Sequence, residues 1–138
     1  MLFRSITSNG DVIAFASSDA RLKTNVKRIT DALAKVEKIN GVTFDWKPNN
    51  KHGFNPSHTH DVGVIAQEIN EVLPEAVRLA PFDRNSDNTS KSGENYLTVQ
   101  YEKLTALLIE AVKELDVECK ALRNELKTLK STIENLPT

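Results

Sequence analysis

A chain of 138 residues has room for one ordinary domain core and not for two. Its 18 Lys+Arg against 19 Asp+Glu leave a formal charge of −1, which builds in no general pull toward nucleic acid or an anionic membrane. No apolar run is long enough to cross a bilayer, Met1 to Ser5 lacks the apolar core of a signal peptide, and a single cysteine, Cys119, excludes an internal disulfide framework. The expectation is synthesis in a cytoplasm, with no cofactor.

Residues 2–15 predict a hairpin: Leu2 to Thr7, an Asn9-Gly10 turn able to supply positive φ angles, then Val12 to Phe15. A lone hairpin is marginal in water, so this one needs further strands to pair with. Next comes Ser17-Ser18-Asp19-Ala20-Arg21-Leu22-Lys23-Thr24-Asn25, which sets a hydroxyl and an amine five positions apart. A neutral lysine can serve as the base that activates a serine, so Ser18 and Lys23 have the ingredients of a nucleophilic dyad. On the spacing alone, a polar turn leading into a helix is the better reading.

Ile29, Ala32, Leu33, Val36 and Ile39 then recur at helical spacing, with Thr30 or the loop before it as cap and Asn40-Gly41 as a left-handed stop. Val42, Phe44 and Trp46 alternate with Thr43 and Asp45, the pattern of a half-buried strand. Lys47 to Asp61 is polar, carries Pro48, Asn49, Asn50, Gly53 and Pro56, and predicts a loop. That loop holds all three histidines, His52, His58 and His60. Imidazole is a standard zinc ligand, but these lack the cysteines or helical spacing that would fix a tetrahedron. They read as solvent-exposed loop residues without a metal; three copies converging on a symmetry axis is the other arrangement.

Val64, Ile65, Ile69, Val72 and Leu73 predict a short amphipathic helix ended by Pro74, and Ala76 to Leu79 a short strand. Pro81 to Glu94 is a second polar loop, too long for a mere connector, and Tyr96 to Val99 a brief strand. From Tyr101 to Leu136 the chain reads as one long helix. Val112, Leu115, Cys119, Leu122, Leu126, Leu129, Ile133 and Leu136 fall at alternating steps of three and four, the a and d positions of a coiled-coil seam. In a parallel pairing, position g meets position e five residues on, which couples Glu118 with Arg123 and Glu125 with Lys130, both opposite in sign. The register therefore favours parallel, in-line copies, and leucine at both a and d leaves dimer and trimer open. Cys119 fits as a small apolar a-position residue. The predicted fold class is α+β: a small mixed globular part of short strands and helices, followed by the long C-terminal helix.

Several of these stretches, in this order, resemble a known family. Ser-Asp-x-Arg-x-Lys-x-Asn-Val from Ser18, the aromatic strand Thr43-Phe44-Asp45-Trp46, the run Gly63-Val64-Ile65-Ala66-Gln67-Glu68-Ile69 with Val72-Leu73-Pro74-Glu75, and Tyr101-Glu102-Lys103-Leu104 with Ala111-Val112-Lys113-Glu114-Leu115 are similar to the C-terminal intramolecular chaperone of phage tail spikes and tail fibres, as in phage endosialidases. The myelin regulatory factor proteins of animals carry a related self-cleaving domain. The resemblance implies a homotrimer that guides folding of an upstream fibre segment of the same polypeptide and then cuts itself off through Ser18 and Lys23. Residues 1–17 would be the end of the released fibre and residues 18–138 the chaperone, with its coiled-coil helix over 101–136. Long polar loops would become arms reaching along the client. The work would take place in the host cytoplasm during phage assembly, with the chaperone absent from the mature fibre.

The chemistry this implies is an N-to-O acyl shift at the bond between Ser17 and Ser18. The Ser18 hydroxyl attacks the carbonyl of Ser17, giving an ester that water opens, and the chain itself supplies the proximity. Lys23 must be neutral to take the hydroxyl proton, so an ordinary lysine pKa of about 10.4 has to fall through burial or nearby positive charge. Arg21 could lend that charge or stabilise the oxyanion, its other role being an ion pair with Asp19. Asn25 is a candidate hydrogen-bonding partner for the loop. The competing classes are a trimerisation module that never cuts and a metal-binding interaction domain.

Overall fold

The computed structural model describes residues 17–47 and 59–138. The hairpin expected over 2–15, and His52 and His58, lie outside them. The described chain is α+β. Three α-helices, α1 (Ala32–Val36), α2 (Ala66–Val72) and α3 (Leu104–Glu134), combine with four strands, β1 (Gly41–Asp45), β2 (His60–Val64), β3 (Val77–Leu79) and β4 (Leu97–Val99). Single 3₁₀ turns sit at Ala20–Leu22, Pro74–Ala76, Pro81–Asp83 and Tyr101–Lys103. The strands form two separate antiparallel pairs. β1 and β2 run in register from Gly41 opposite Val64 to Asp45 opposite His60, and β3 and β4 from Val77 opposite Val99 to Leu79 opposite Leu97.

Two apolar clusters join these pieces. Ala32, Leu107 and Ala111 pack α1 on the first turns of α3, with Ile29, Val36, Ile39 and Leu73 against them. Ile69, Ala76 and Val77 form the second, lined by Ile39, Val64, Leu73, Leu97, Val99 and Leu104. Ile39 and Leu73 belong to both linings, so the two clusters are continuous. β1 shows the predicted alternation, with Val42 and Phe44 half-buried between exposed neighbours, and the Phe44 and Trp46 rings meet edge to face at 4.9 Å. Tyr101 leans over β2 so closely that a Cβ on Gly63 would lie 2.5 Å from its hydroxyl, and that hydroxyl accepts the Val64 N–H at 3.3 Å. Glycine is required there by the approach of another side chain.

Several expectations are corrected. The helix read from Ile29 to Ile39 has only five residues, because Asp31 before it is left-handed (φ 54°) and offers no side-chain cap. Its first amides are held from far away: Glu114 on α3 accepts Ala32 N–H at 3.0 Å and Leu33 N–H at 2.8 Å. Asn40-Gly41 does not form a left-handed stop, since neither has positive φ. Instead the Asn40 backbone and side-chain amides both donate to Glu68 of α2, and Gly41 opens β1. His60 and Asp61 are not loop but the start of β2, and Val64 closes that strand rather than starting a helix. α2 begins at Ala66. The long helix begins at Leu104, one 3₁₀ turn later than read.

The stretch after β3 is not a plain polar loop either. Asp83, 2% exposed, accepts the Ser90 hydroxyl at 2.7 Å, the Ser92 N–H at 2.8 Å and the Tyr96 N–H at 3.0 Å. The Asp83 carbonyl takes Lys91 N–H at 2.7 Å, and Asn88, Gly93 and Asn95 supply the positive φ angles the turns require. Burial works to raise the Asp83 pKa, but the hydrogen bonds outweigh it and hold the carboxyl well below the usual carboxylate range. A carboxyl whose folded pKa lies below its unfolded value stabilises the fold above that unfolded value, about 3.9, and loses the contribution as pH falls through the folded value. The Ser92 and Tyr96 amides should therefore stay protected from hydrogen exchange through about pH 4 and open only in stronger acid. In Asp83→Asn, which cannot accept from all three donors, they should exchange at least about tenfold faster already at neutral pH.

Candidate active site

Residues 17–28 leave the body of the protein as an exposed arm. Asp19 caps the 3₁₀ turn at Ala20–Leu22, its Oδ1 taking Arg21 N–H at 2.9 Å. The Leu22 and Lys23 amides close the turn onto the Asp19 and Ala20 carbonyls, each at 3.1 Å. One such turn brings residues five apart onto the same side of the arm, and Lys23 Nζ donates to Ser18 Oγ at 2.7 Å. The carbonyl Ser18 would attack belongs to Ser17, its neighbour in the chain. Both members of the dyad are exposed in the single chain. So are the apolar Leu22 and Val26 on the same arm, at 72% and 77% of their full surface.

Of the two roles open to Arg21, the ion pair is the one formed. Its Nη2 lies 2.8 Å and its Nε 3.0 Å from the Asp19 carboxylate. The hydrogen bond lowers the Asp19 pKa and raises that of Arg21. Exposed as it is, the pair stiffens the turn more than it stabilises the fold. Asn25 has a different part from the one read for it: it makes no side-chain hydrogen bond among the described residues but bends the arm through a left-handed backbone (φ 52°), a conformation asparagine tolerates.

The other candidates separate cleanly. His60 pairs across β1 and β2 with Asp45, Nδ1 to Oδ1 at 2.8 Å, and no cluster of three or more metal-ligating side chains occurs among the described residues. No helix among them is long and apolar enough to cross a membrane. The heptad positions Val112, Leu115, Leu122, Leu126, Leu129, Ile133 and Leu136 are all exposed, and Cys119 half so. Among the described residues, no residue of the long helix beyond Ala111 is fully buried, and the contact that Glu114 makes with α1 lies off the seam. Glu68, Asp83 and Glu114, the carboxylates that hold backbone amides across the fold, were not picked out in the sequence, where nothing distinguishes them from solvated surface charges.

Residues 18–78 match a peptidase family described as the chaperone of endosialidase. The match begins on Ser18. This stretch of the chain belongs to that family. The long tail fiber protein Gp37 of Enterobacteria phage K3 is 36% identical over 127 residues, covering 86% of this chain and 9% of the relative. The protein of the same name from Enterobacteria phage Ox2 is 33% identical over 115 residues, covering 83% of this chain and 41% of the relative. Myelin gene regulatory factor-like A of Dictyostelium discoideum is 30% identical over 131 residues, covering 86% of this chain and 13% of the relative. The chain thus spans less than half the length of each of these relatives.

The bend at Asn25 sets the direction in which the Ser18–Lys23 turn leaves the body, so its backbone is testable. Asn25→Gly should keep any self-cleavage within about twofold, since glycine adopts the same φ freely. Asn25→Val, strained there by about 1 to 2 kcal/mol, should slow it by about five- to thirtyfold. Both read out as the cleaved fraction against time.

Proposed function

We propose that the chain is an intramolecular chaperone that drives trimerisation and folding of an upstream tail-fibre or tail-spike segment and then releases itself by autoproteolysis between Ser17 and Ser18. The observation that carries this reading is the 2.7 Å contact between Lys23 Nζ and Ser18 Oγ, on the residue where the family match begins. The tail fiber names of the phage relatives supply the client class. Residues 1–17 are then the end of the client and residues 18–138 the chaperone, acting in the host cytoplasm during virion assembly and left out of the finished fibre.

In the reaction, Ser18 Oγ adds to the Ser17 carbonyl carbon while Lys23 accepts the hydroxyl proton. The tetrahedral intermediate collapses with that proton delivered to the Ser18 nitrogen, leaving an ester from Ser17 to Ser18 Oγ. Water then hydrolyses the ester to a Ser17 carboxylate and a free Ser18 hydroxyl and amine. Each chain turns over once. An amine acts as base only when uncharged, burial favours that form, and the dyad is exposed in the single chain. In this reading the covering surface comes from other copies, brought by the exposed heptad seam. Cleavage would then wait for assembly.

A module that trimerises without cutting shares the seam but not the dyad contact, and electrophoresis of freshly made protein tells the two apart: self-cleavage leaves a product spanning residues 18–138. Ser18→Ala should suppress that product by at least about a thousandfold while the oligomer mass stays unchanged. Lys23→Arg should fail equally, because a guanidinium does not give up its proton at any working pH. Normal cutting by either variant removes that residue from the mechanism. Aspartate at both Leu122 and Leu129 places like charges together at two d layers of a parallel bundle, so association should fail, and cleavage with it. The check is oligomer mass alongside cleaved fraction, and monomers that cut at the normal rate would place the whole catalytic apparatus within one chain.

A further inference from the structure

Between Ser17 and Lys27 every hydrogen bond among the described residues is internal to the arm. Its attachment to the body starts at Arg28, whose Nε lies 3.6 Å from Glu110 of α3, and is completed where Glu114, one turn further along α3, holds the amides of Ala32 and Leu33. The buried methyl of Ala32 seats the same point on Leu107 and Ala111. In the heptad set by Val112 and Leu115, Glu110 and Glu114 occupy f and c, off the a and d seam. One helix therefore carries two kinds of contact at the same height: the seam that meets other copies, and the grip on the root of the dyad arm.

We propose that Glu114 is a positioning residue for the Ser18–Lys23 chemistry, fixing the direction in which the arm leaves α3 and hence where the dyad sits relative to the assembled seam. Asp31 makes the proposal specific. Its left-handed backbone turns the arm into α1 without any cap of its own, so the carboxylate of Glu114 is what holds that corner. Those two amides, Leu33 first and then Ala32, keep the Glu114 pKa below the ordinary carboxylate value, and the carboxylate is ionised wherever the protein is handled near neutral pH. Arg28 adds a second, outer tether to the same helix. The proposal rests on the self-cleaving reading above.

The test uses the full chain with its upstream segment and follows cleavage as a single-turnover rate at low temperature. Oligomer mass and urea unfolding are measured on Ser18→Ala versions of each variant. Glu114→Ala should still assemble but cut about tenfold or more slowly. Glu114→Gln, which keeps one acceptor oxygen for one amide, should recover part of the loss. Arg28→Ala, losing only the outer tether of an exposed side chain, should slow cutting by about two- to fivefold. If Glu114→Ala does not assemble, the Gln and Arg28 variants decide. An assembled Glu114→Ala protein that cuts at the normal rate overturns the proposal, as does a Gln variant no faster than the Ala one. So does a slowing that vanishes at a temperature where every variant is fully folded, since that marks a stability effect alone. A wild-type chain that never cuts removes the self-cleaving reading itself, a result distinct from cutting that is indifferent to Glu114.

Discussion

The grip of Glu114 on the first two amides of α1 settles a problem the local sequence leaves unsolved. A five-residue helix has more orphan amides and carbonyls than internal bonds, and nucleating it alone is unfavourable. Here the missing acceptor comes from α3, while Leu107 and Ala111 of the same helix cover Ala32. From that fixed point Ile39 runs into the second cluster, Asn40 is caught by Glu68, and β1 starts in the right direction. Ile39 and Leu73 then tie the two clusters into one small core. Neither two-stranded sheet has the size to stand by itself, so each leans on that core.

Periodicity made the largest elements legible. The alternation of Val42, Phe44 and Trp46 yielded β1, and the three-four spacing from Val112 to Leu136 yielded a helix whose apolar face is free, as a seam awaiting partners would be. What failed were short elements whose partners lie far off in sequence. β2 begins with His60 and Asp61, polar residues that read as loop, and it exists because β1 pairs with it. Val64 and Ile65 look helical beside Ile69 because a short apolar run has no period of its own. The dyad spacing was visible, but the turn that closes it depends on Asp19 capping Arg21, a local contact the sequence permits without demanding. The long-range carboxylates left no trace at all, since a glutamate that binds amides 82 positions away is written like one facing water.

The arm and the seam have in common that both present exposed apolar surface among the described residues. Leu22 and Val26 flank the dyad, while Leu108 and Ile109 extend the exposed strip of α3 toward the body. Exposed apolar strips of this kind mark surfaces where a partner can sit, and the Ser18–Lys23 turn lies beside one of them.

Ribosomes make the anchoring partners of this fold in an unhelpful order. Ala32 emerges early, but Leu107, Ala111 and Glu114, which bury it and satisfy its amide, are translated 75 or more positions later, the amide's own acceptor coming 82 residues behind it. Contacts separated so widely close slowly, and here they cannot close on a nascent chain until α3 as far as Glu114 has left the exit tunnel. The arm is therefore left unanchored while the residues between Ala32 and Glu114 are being made. The Ser18–Lys23 turn, whose own hydrogen bonds are local, can close long before its root is held.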